Sequence, residues 1–133
     1  MNEQRIPYRR WHGQLAPVIF LNLYHGNHQT EDYAFVDSGA TYSIFDSAVA
    51  ERLGIDIFSG RHSLVIGLDG RLVSIYLHKL GLEIGAFHIT ATVGFSETMK
   101  IGFNLLGRHS VFNQLQFCFN DRDGEITITR LDS

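Results

Sequence analysis

One run of residues in this chain has the makings of a hydrolytic site: Tyr33-Ala34-Phe35-Val36-Asp37-Ser38-Gly39-Ala40-Thr41-Tyr42-Ser43-Ile44. An apolar stretch ends in an aspartate, and a hydroxyl residue and a glycine follow at once. If the stretch before it is a buried strand, the Asp37 carboxylate is held at the rim of a core, where it can move protons. Gly39 lets another backbone approach closely, and the Ser38 hydroxyl can lock the loop by hydrogen bonding. Asp-Ser-Gly alone is also the chemistry of an ordinary turn or helix cap. The weight therefore falls on its flanks and on what lies downstream.

Two downstream segments add to it. Ile101-Gly102-Phe103-Asn104-Leu105-Leu106-Gly107-Arg108 is an apolar stretch that stops at a glycine. Between it and Asp37, Ser63-Leu64-Val65-Ile66-Gly67-Leu68-Asp69-Gly70-Arg71-Leu72-Val73 places strand-forming residues on both sides of a glycine-bounded tip. That pattern predicts a projecting hairpin, which on its own is either a plain surface feature or a cover over a cleft.

The elements that must position these residues are mostly strands. Glycines number 13 and prolines 2, which suits short strands joined by tight turns. Strands are predicted at 18–23, 33–36, 63–66, 71–79, 82–84, 86–93, 115–119 and 125–129. His25-Gly26-Asn27-His28 and Asp121-Arg122-Asp123-Gly124 read as turns, with Gly124 able to take a positive φ. Asp46 is placed to cap a short helix over 47–53, which Gly54 would stop, and 108–113 reads as a second short helix. The chain is too small for two sandwiched Greek keys and lacks the β–α rhythm of a parallel sheet.

Composition narrows the classes further. With 133 residues, 44% hydrophobic and 19% charged, the chain is an ordinary globular domain, so residues 1–133 are read as one domain. The single cysteine, Cys118, can form no internal disulfide, and its alternating apolar surroundings predict a buried position. The polar first residues lack a signal-peptide pattern and no run is long enough for a membrane span, so a cytoplasmic protein without membrane contact is expected. A net charge of −3 gives no general support to nucleic-acid binding. Arg5, Arg9 and Arg10, interleaved with Tyr8 and Trp11, could contact RNA, but an arm that orders against its own domain or a second subunit is preferred.

Taken together, the segments around Asp37, the glycine-tipped hairpin and Leu105-Leu106-Gly107-Arg108 resemble the retropepsin-like aspartic proteases, over about 18–129. The order of parts is that family's: strand hairpin, Asp-Ser-Gly-Ala, helix, flap hairpin, apolar-apolar-Gly-Arg, final strand pair. The resemblance implies an all-β acid-protease fold, a closed barrel-like domain with a flap hairpin and one or two short helices, acting as a homodimer. It implies that Asp37 is catalytic and that Ser38, Gly39 and Ala40, backed by Leu105, Leu106 and Gly107, form and support its loop. It also implies that Ile66, Gly67, Leu68, Asp69 and Gly70 form a substrate-covering flap. One departure stands out: Thr41 occupies a position where retroviral members commonly carry an acid that pairs with the Gly-Arg arginine, so Arg108 needs another partner or faces solvent. Residues 1–17 lie outside the resemblance and are left as an arm of uncertain role.

The implied activity is peptide-bond hydrolysis by two carboxylates sharing one proton, since like charges about 3 Å apart cannot both ionise. The chain offers one Asp-Ser-Gly, so the second carboxylate is expected from a symmetry mate. Asp69 is set aside as the second member because it lies at the hairpin tip without a hydroxyl-Gly loop. No cofactor or metal is expected: His25 and His28 lie close together but lack a third ligand at a recognisable spacing. No serine sits in a Gly-x-Ser-x-Gly elbow. The alternative from another class is a catalytically inactive dimeric peptide-binding or scaffold module that keeps the same fold.

Overall fold

The computed structural model describes residues 2–67, 69–98 and 102–131. Its strands are β1 (Glu3–Pro7), β2 (Arg9–Trp11), β3 (Gln14–Ala16), β4 (Val18–His25), β5 (His28–Val36), β6 (Ile44–Phe45), β7 (Arg61–Ile66), β8 (Leu72–Ile84), β9 (Phe87–Phe95), β10 (Asn104–Leu106), β11 (Leu115–Asn120) and β12 (Glu125–Arg130). One α-helix, α1 (Ser47–Arg52), and one 3-10 turn, Ile57–Ser59, complete the chain.

The barrel forms because β4 pairs on both sides. Around the sheet the order is β4-β5-β10-β6-β9-β8, and β8 returns to β4 through Asn22↔Glu83, Leu23↔Leu82 and Tyr24↔Gly81. The Asn22 amide also donates to Glu83 Oε1 across that seam at 2.8 Å. Strand alternation then drives one face of each strand inward: Ile19, Leu21 and Leu23 of β4 are fully buried, as are Leu80, Leu82 and Ile84 of β8. Burying each such side chain stabilises the fold by about 1.5–3 kcal/mol. β7 hangs from β8 outside the closed ring, which makes the β7–β8 hairpin a projection.

Several expectations change in detail. β8 runs unbroken through 80–81, where two strands were expected, because both of its ladders continue there, to β9 through Leu80↔Ala91 and Gly81↔Thr90 and to β4 through Tyr24↔Gly81. Helix α1 has Asp46 as its cap, with Oδ1 accepting from Ala48 N at 2.9 Å, and Gly54 follows at φ +68. The helix expected at 108–113 is instead a succession of turns. Ser110 takes φ +60, and its hydroxyl accepts from Thr92 N at 2.8 Å, so a bond to β9 replaces a further helical turn. Cys118 is exposed rather than buried, because β11 is an edge strand whose inward residue is the neighbouring Phe117, packed on Phe112.

The amino-terminal residues are ordered against their own domain. β1 pairs antiparallel with β12 from Glu3↔Thr129 to Pro7↔Glu125, and β12 pairs with β11. β2 and β3 make a two-residue hairpin whose turn, His12-Gly13, has φ +50 and +82, the primed-turn geometry that follows strand twist. The arginines of this arm are engaged locally: Arg5 lies 4.0 Å from Glu125, Arg9 stacks over Tyr33 at 4.5 Å, and Arg10 donates to Gly13 O at 3.3 Å. Among the described residues, no helix is long and apolar enough to cross a membrane.

Tyr8 fastens the arm between β1 and β2. Its N–H donates to Gly124 O at 2.8 Å and its hydroxyl to Asp121 Oδ1 at 2.7 Å. Burial, and then the neighbouring Asp121, push the phenol up to about 12. A raised folded value means that this contribution is whole below the unfolded tyrosine pKa of about 10 and is lost as pH climbs toward 12. Tyr8→Phe is expected to cost about 1 kcal/mol in urea unfolding at neutral pH. It should also remove the highest-pH step from an alkaline absorbance titration; survival of that step would reassign it.

Candidate active site

Asp37 stands at the end of β5, where three strands are forced together. β10 lies between β5 and β6, parallel to the first (Asn104↔Ala34, Leu105↔Phe35, Leu106↔Val36) and antiparallel to the second (Leu105↔Ile44). Residues 37–43 therefore bend round the carboxyl end of β10. Asp37 N donates to Leu106 O at 3.0 Å, Arg108 N to Ala40 O at 2.9 Å, and His109 N to Thr41 O at 2.7 Å. The loop is thus tied to the 106–109 segment at its start and its far side.

Within the loop the carboxylate fixes itself. Asp37 Oδ1 accepts from Gly39 N at 2.8 Å, and a Cβ at Gly39 would sit 3.2 Å from that oxygen. Oδ2 has no partner among the described residues and is open to chemistry. The Ser38 hydroxyl, expected to lock the loop, makes no hydrogen bond among the described residues and is exposed. The carboxylate and the backbone do the locking instead.

The support comes from Leu106 and Gly107, and from two polar residues that the sequence reading passed over. Ser43 is fully buried and its hydroxyl accepts from Gly107 N at 2.9 Å, while Ser43 O accepts from Gly94 N at 2.8 Å. At Gly107 a Cβ would lie 2.4 Å from Tyr42 O and 2.9 Å from Ala40 O, so no other residue fits without moving backbone. Asn104, also buried, accepts from Asp46 N and donates to Tyr33 O, both at 2.8 Å, bracing the strand before the loop against the helix cap after it.

Above this floor opens a cleft of about 950 Å³. Asp37, Gly39, Ala40 and Leu105 line it from below, and Ile66, Gly67 and Asp69 of the β7–β8 hairpin from the side. Leu105 therefore faces the cleft as well as supporting the loop. Ser38, Leu106, Gly107 and Gly70 stand outside the lining, and Leu68 lies outside the described residues. Tyr42, Ile44, Val65, Val73 and Phe103 join the wall, giving it a largely apolar surface. The hairpin tip is a tight turn in which Gly67 N donates to Arg71 O at 2.8 Å and Gly70 takes φ +81. Asp69 Oδ1 accepts from Arg71 N at 3.0 Å, so this carboxylate is used in its own turn.

Arg108 is exposed, and no acid pairs with its side chain among the described residues. His25 and His28 flank the turn between β4 and β5, and no group of three His, Cys, Asp or Glu residues suited to a metal occurs among the described residues.

This arrangement was compared with known proteins. No family model and no curated protein sequence matches the chain. Among solved structures it is similar to a retropepsin-like aspartic protease from Rickettsia conorii, at 16% identity and a TM-score of 0.68, over 96% of this chain and 92% of that one. It is also similar to the EIAV protease complexed with an inhibitor, at 19% identity and a TM-score of 0.55, over 75% of this chain and 88% of the other. The chain has the retropepsin-like fold. The second match covers less of the chain than the first, and the retropepsin-like architecture here carries an amino-terminal hairpin, β2–β3, in front of β4.

The bond from Gly107 N to Ser43 is buried, so its loss leaves a donor unpaired. Ser43→Ala is expected to cost about 1–3 kcal/mol in chemical denaturation. Gly107→Ala, which drives a methyl group into backbone, is expected to cost more than Ser43→Ala and about 3 kcal/mol or above. Equal and small effects would show that the loop can slide off β10 at little cost.

Proposed function

We propose that the chain is one half of a homodimeric aspartic endopeptidase, with Asp37 as the catalytic carboxylate of each half. The observation that carries this reading is the state of Asp37: one oxygen is held by the Gly39 N–H, and the other has no partner among the described residues, on the floor of an open cleft. The retropepsin-like fold supports it as to architecture. The chain supplies one such loop, and Asp69, the other acid lining the cleft, is committed to the hairpin turn.

A two-fold axis beside Asp37 would bring its twin within reach, and Ser38, exposed beside it, would lie at the surface the second chain covers. The ionised carboxylate of the pair takes a proton from water as the water oxygen bonds to the scissile carbonyl carbon. The protonated partner gives its proton to the carbonyl oxygen. As the tetrahedral diol collapses, one hydroxyl returns its proton to the ionised carboxylate, the C–N bond breaks, and the departing nitrogen takes the proton held by the other carboxyl. An extended peptide would occupy the cleft under the β7–β8 hairpin, which acts as a flap through Ile66, Gly67, Leu68, Asp69 and Gly70. A cytoplasmic setting belongs to this reading, on the ground that the lone Cys118 has no partner in the chain for a disulfide.

Asp37→Asn is expected to leave fold and dimer intact while lowering cleavage of a mixed peptide library by about a hundredfold or more. Wild-type activity should fall steeply on dilution through the dimer dissociation range. Cleavage by Asp37→Asn at the wild-type rate would remove Asp37 from the mechanism. A dimer that binds peptide and never cuts it would make the chain a binding module.

A further inference from the structure

The β2–β3 hairpin has a position that its sequence did not disclose. It ends in Trp11, the single tryptophan of the chain, which is half-buried. The indole meets Phe103 edge-on at 4.9 Å between ring centroids and Phe35 at 6.4 Å. Phe103 lines the cleft, and Phe35 lies two residues before Asp37 and pairs with Leu105, another lining residue. Of the two rings on which Trp11 rests, one therefore lines the cleft and the other is the strand partner of a residue that does.

The hairpin itself is firmly held. Tyr8 bonds its base to Gly124 and Asp121, Arg9 stacks on Tyr33, and Ala16 is buried. Immediately after it, Pro17 O accepts from Val36 N at 2.9 Å, next to Asp37. The His12 ring closes on the other side of the indole at 4.7 Å. Phe103, by contrast, follows Gly102 at φ +77 and precedes a strand of only three residues. The indole packs against this ring from a distant part of the chain.

We infer that Trp11 is a positioning residue for the cleft: through Phe103 it fixes one wall of the peptide site and thereby sets which side chain that wall accepts. The inference rests on the reading of the cleft as a peptide site, and it extends that reading to a hairpin that precedes residues 18–129, the stretch whose sequence resembles the proteases. An edge-to-face pair of this kind is worth a two- to tenfold change in binding, so the effect belongs in KM and in side-chain preference. The proton transfers at Asp37 do not pass through Trp11, and kcat should hold.

The test compares wild type, Trp11→Ala, Trp11→Phe and Leu15→Ser on a mixed peptide library, with melting and dimer state recorded for each. Leu15 lies on the same hairpin but is exposed and outside the cleft lining, so Leu15→Ser should match wild type. Trp11→Ala should raise KM about two- to tenfold for the preferred peptides, flatten the preference at one subsite and keep kcat, while Trp11→Phe restores most of the selectivity. Peptide binding to Asp37→Asn should also shift the emission of Trp11, and Phe103→Ala in that background should abolish the shift. This fluorescence pair decides the matter if Trp11→Ala folds poorly. A folded, dimeric Trp11→Ala with wild-type KM and wild-type preference would overturn the inference, as would peptide binding that leaves the emission unchanged. Binding with the emission shift but without cleavage by wild type would sink the protease reading alone. A chain that neither cuts nor binds the library would sink both.

Discussion

β10 is only three residues long, yet it holds β5 and β6 apart and bonds to both. Everything at the cleft floor follows from that wedge. The chain leaving β5 cannot pair directly with the strand it is about to form, so it turns round the end of β10 and carries Asp37 to the turn. The turn can close only because Gly107 has no side chain: a Cβ there would stand 2.4 Å from Tyr42 O and 2.9 Å from Ala40 O. Ser43 then uses its hydroxyl to satisfy the Gly107 N–H that this close approach would otherwise strand in the interior.

The same constraint accounts for the single acid loop that the proposed dimer would complete. A loop wrapped on the end of a wedge presents its acid outward, away from the barrel core, and the barrel uses its strands to close on itself through β4 and β8. The 133 residues contain a single Asp-Ser-Gly. The acid nearest in role, Asp69, serves a hairpin turn. A carboxylate with one oxygen tied to Gly39 and the other open among the described residues suits half of the proposed acid–base pair, and the proposed two-fold axis is the economical way to supply the rest.

What the sequence disclosed depended on how local the cause was. Asp37 was legible because strand, acid, hydroxyl and glycine follow one another directly. The α1 cap at Asp46 and the turn at Gly124 were legible for the same reason. β6 and β10 were not, since two or three residues carry no periodicity, and their pairing joins positions some sixty residues apart. Ser43 and Asn104 look like ordinary polar residues until long-range partners give them their work. The turns at 108–114 overrode a helical pattern because Ser110 found β9. In the arm, only the aromatic residues hinted at packing, and only the fold reveals that Trp11 packs against Phe103.

The distribution of exposed apolar residues bears on how the cleft is completed. Ile66 is 74% exposed, Leu72 is 65% and Leu64 is 51%, and all three belong to the β7–β8 hairpin. Leu64 and Ile66 point to the same side of β7, and Leu72 is the cross-strand partner of Ile66, so they form one patch and not scattered exceptions. A single exposed leucine asks for no explanation; a contiguous apolar patch on a projection does. The patch adjoins the cleft that Ile66 and Leu64 line. A hairpin of this kind kept only for its backbone would be better served by polar residues, as on the free edges of other sheets. Side chains that are costly in water and sited beside Asp37 instead accord with the proposed reading, in which this surface is covered by peptide on one side and by the facing half of a dimer on the other.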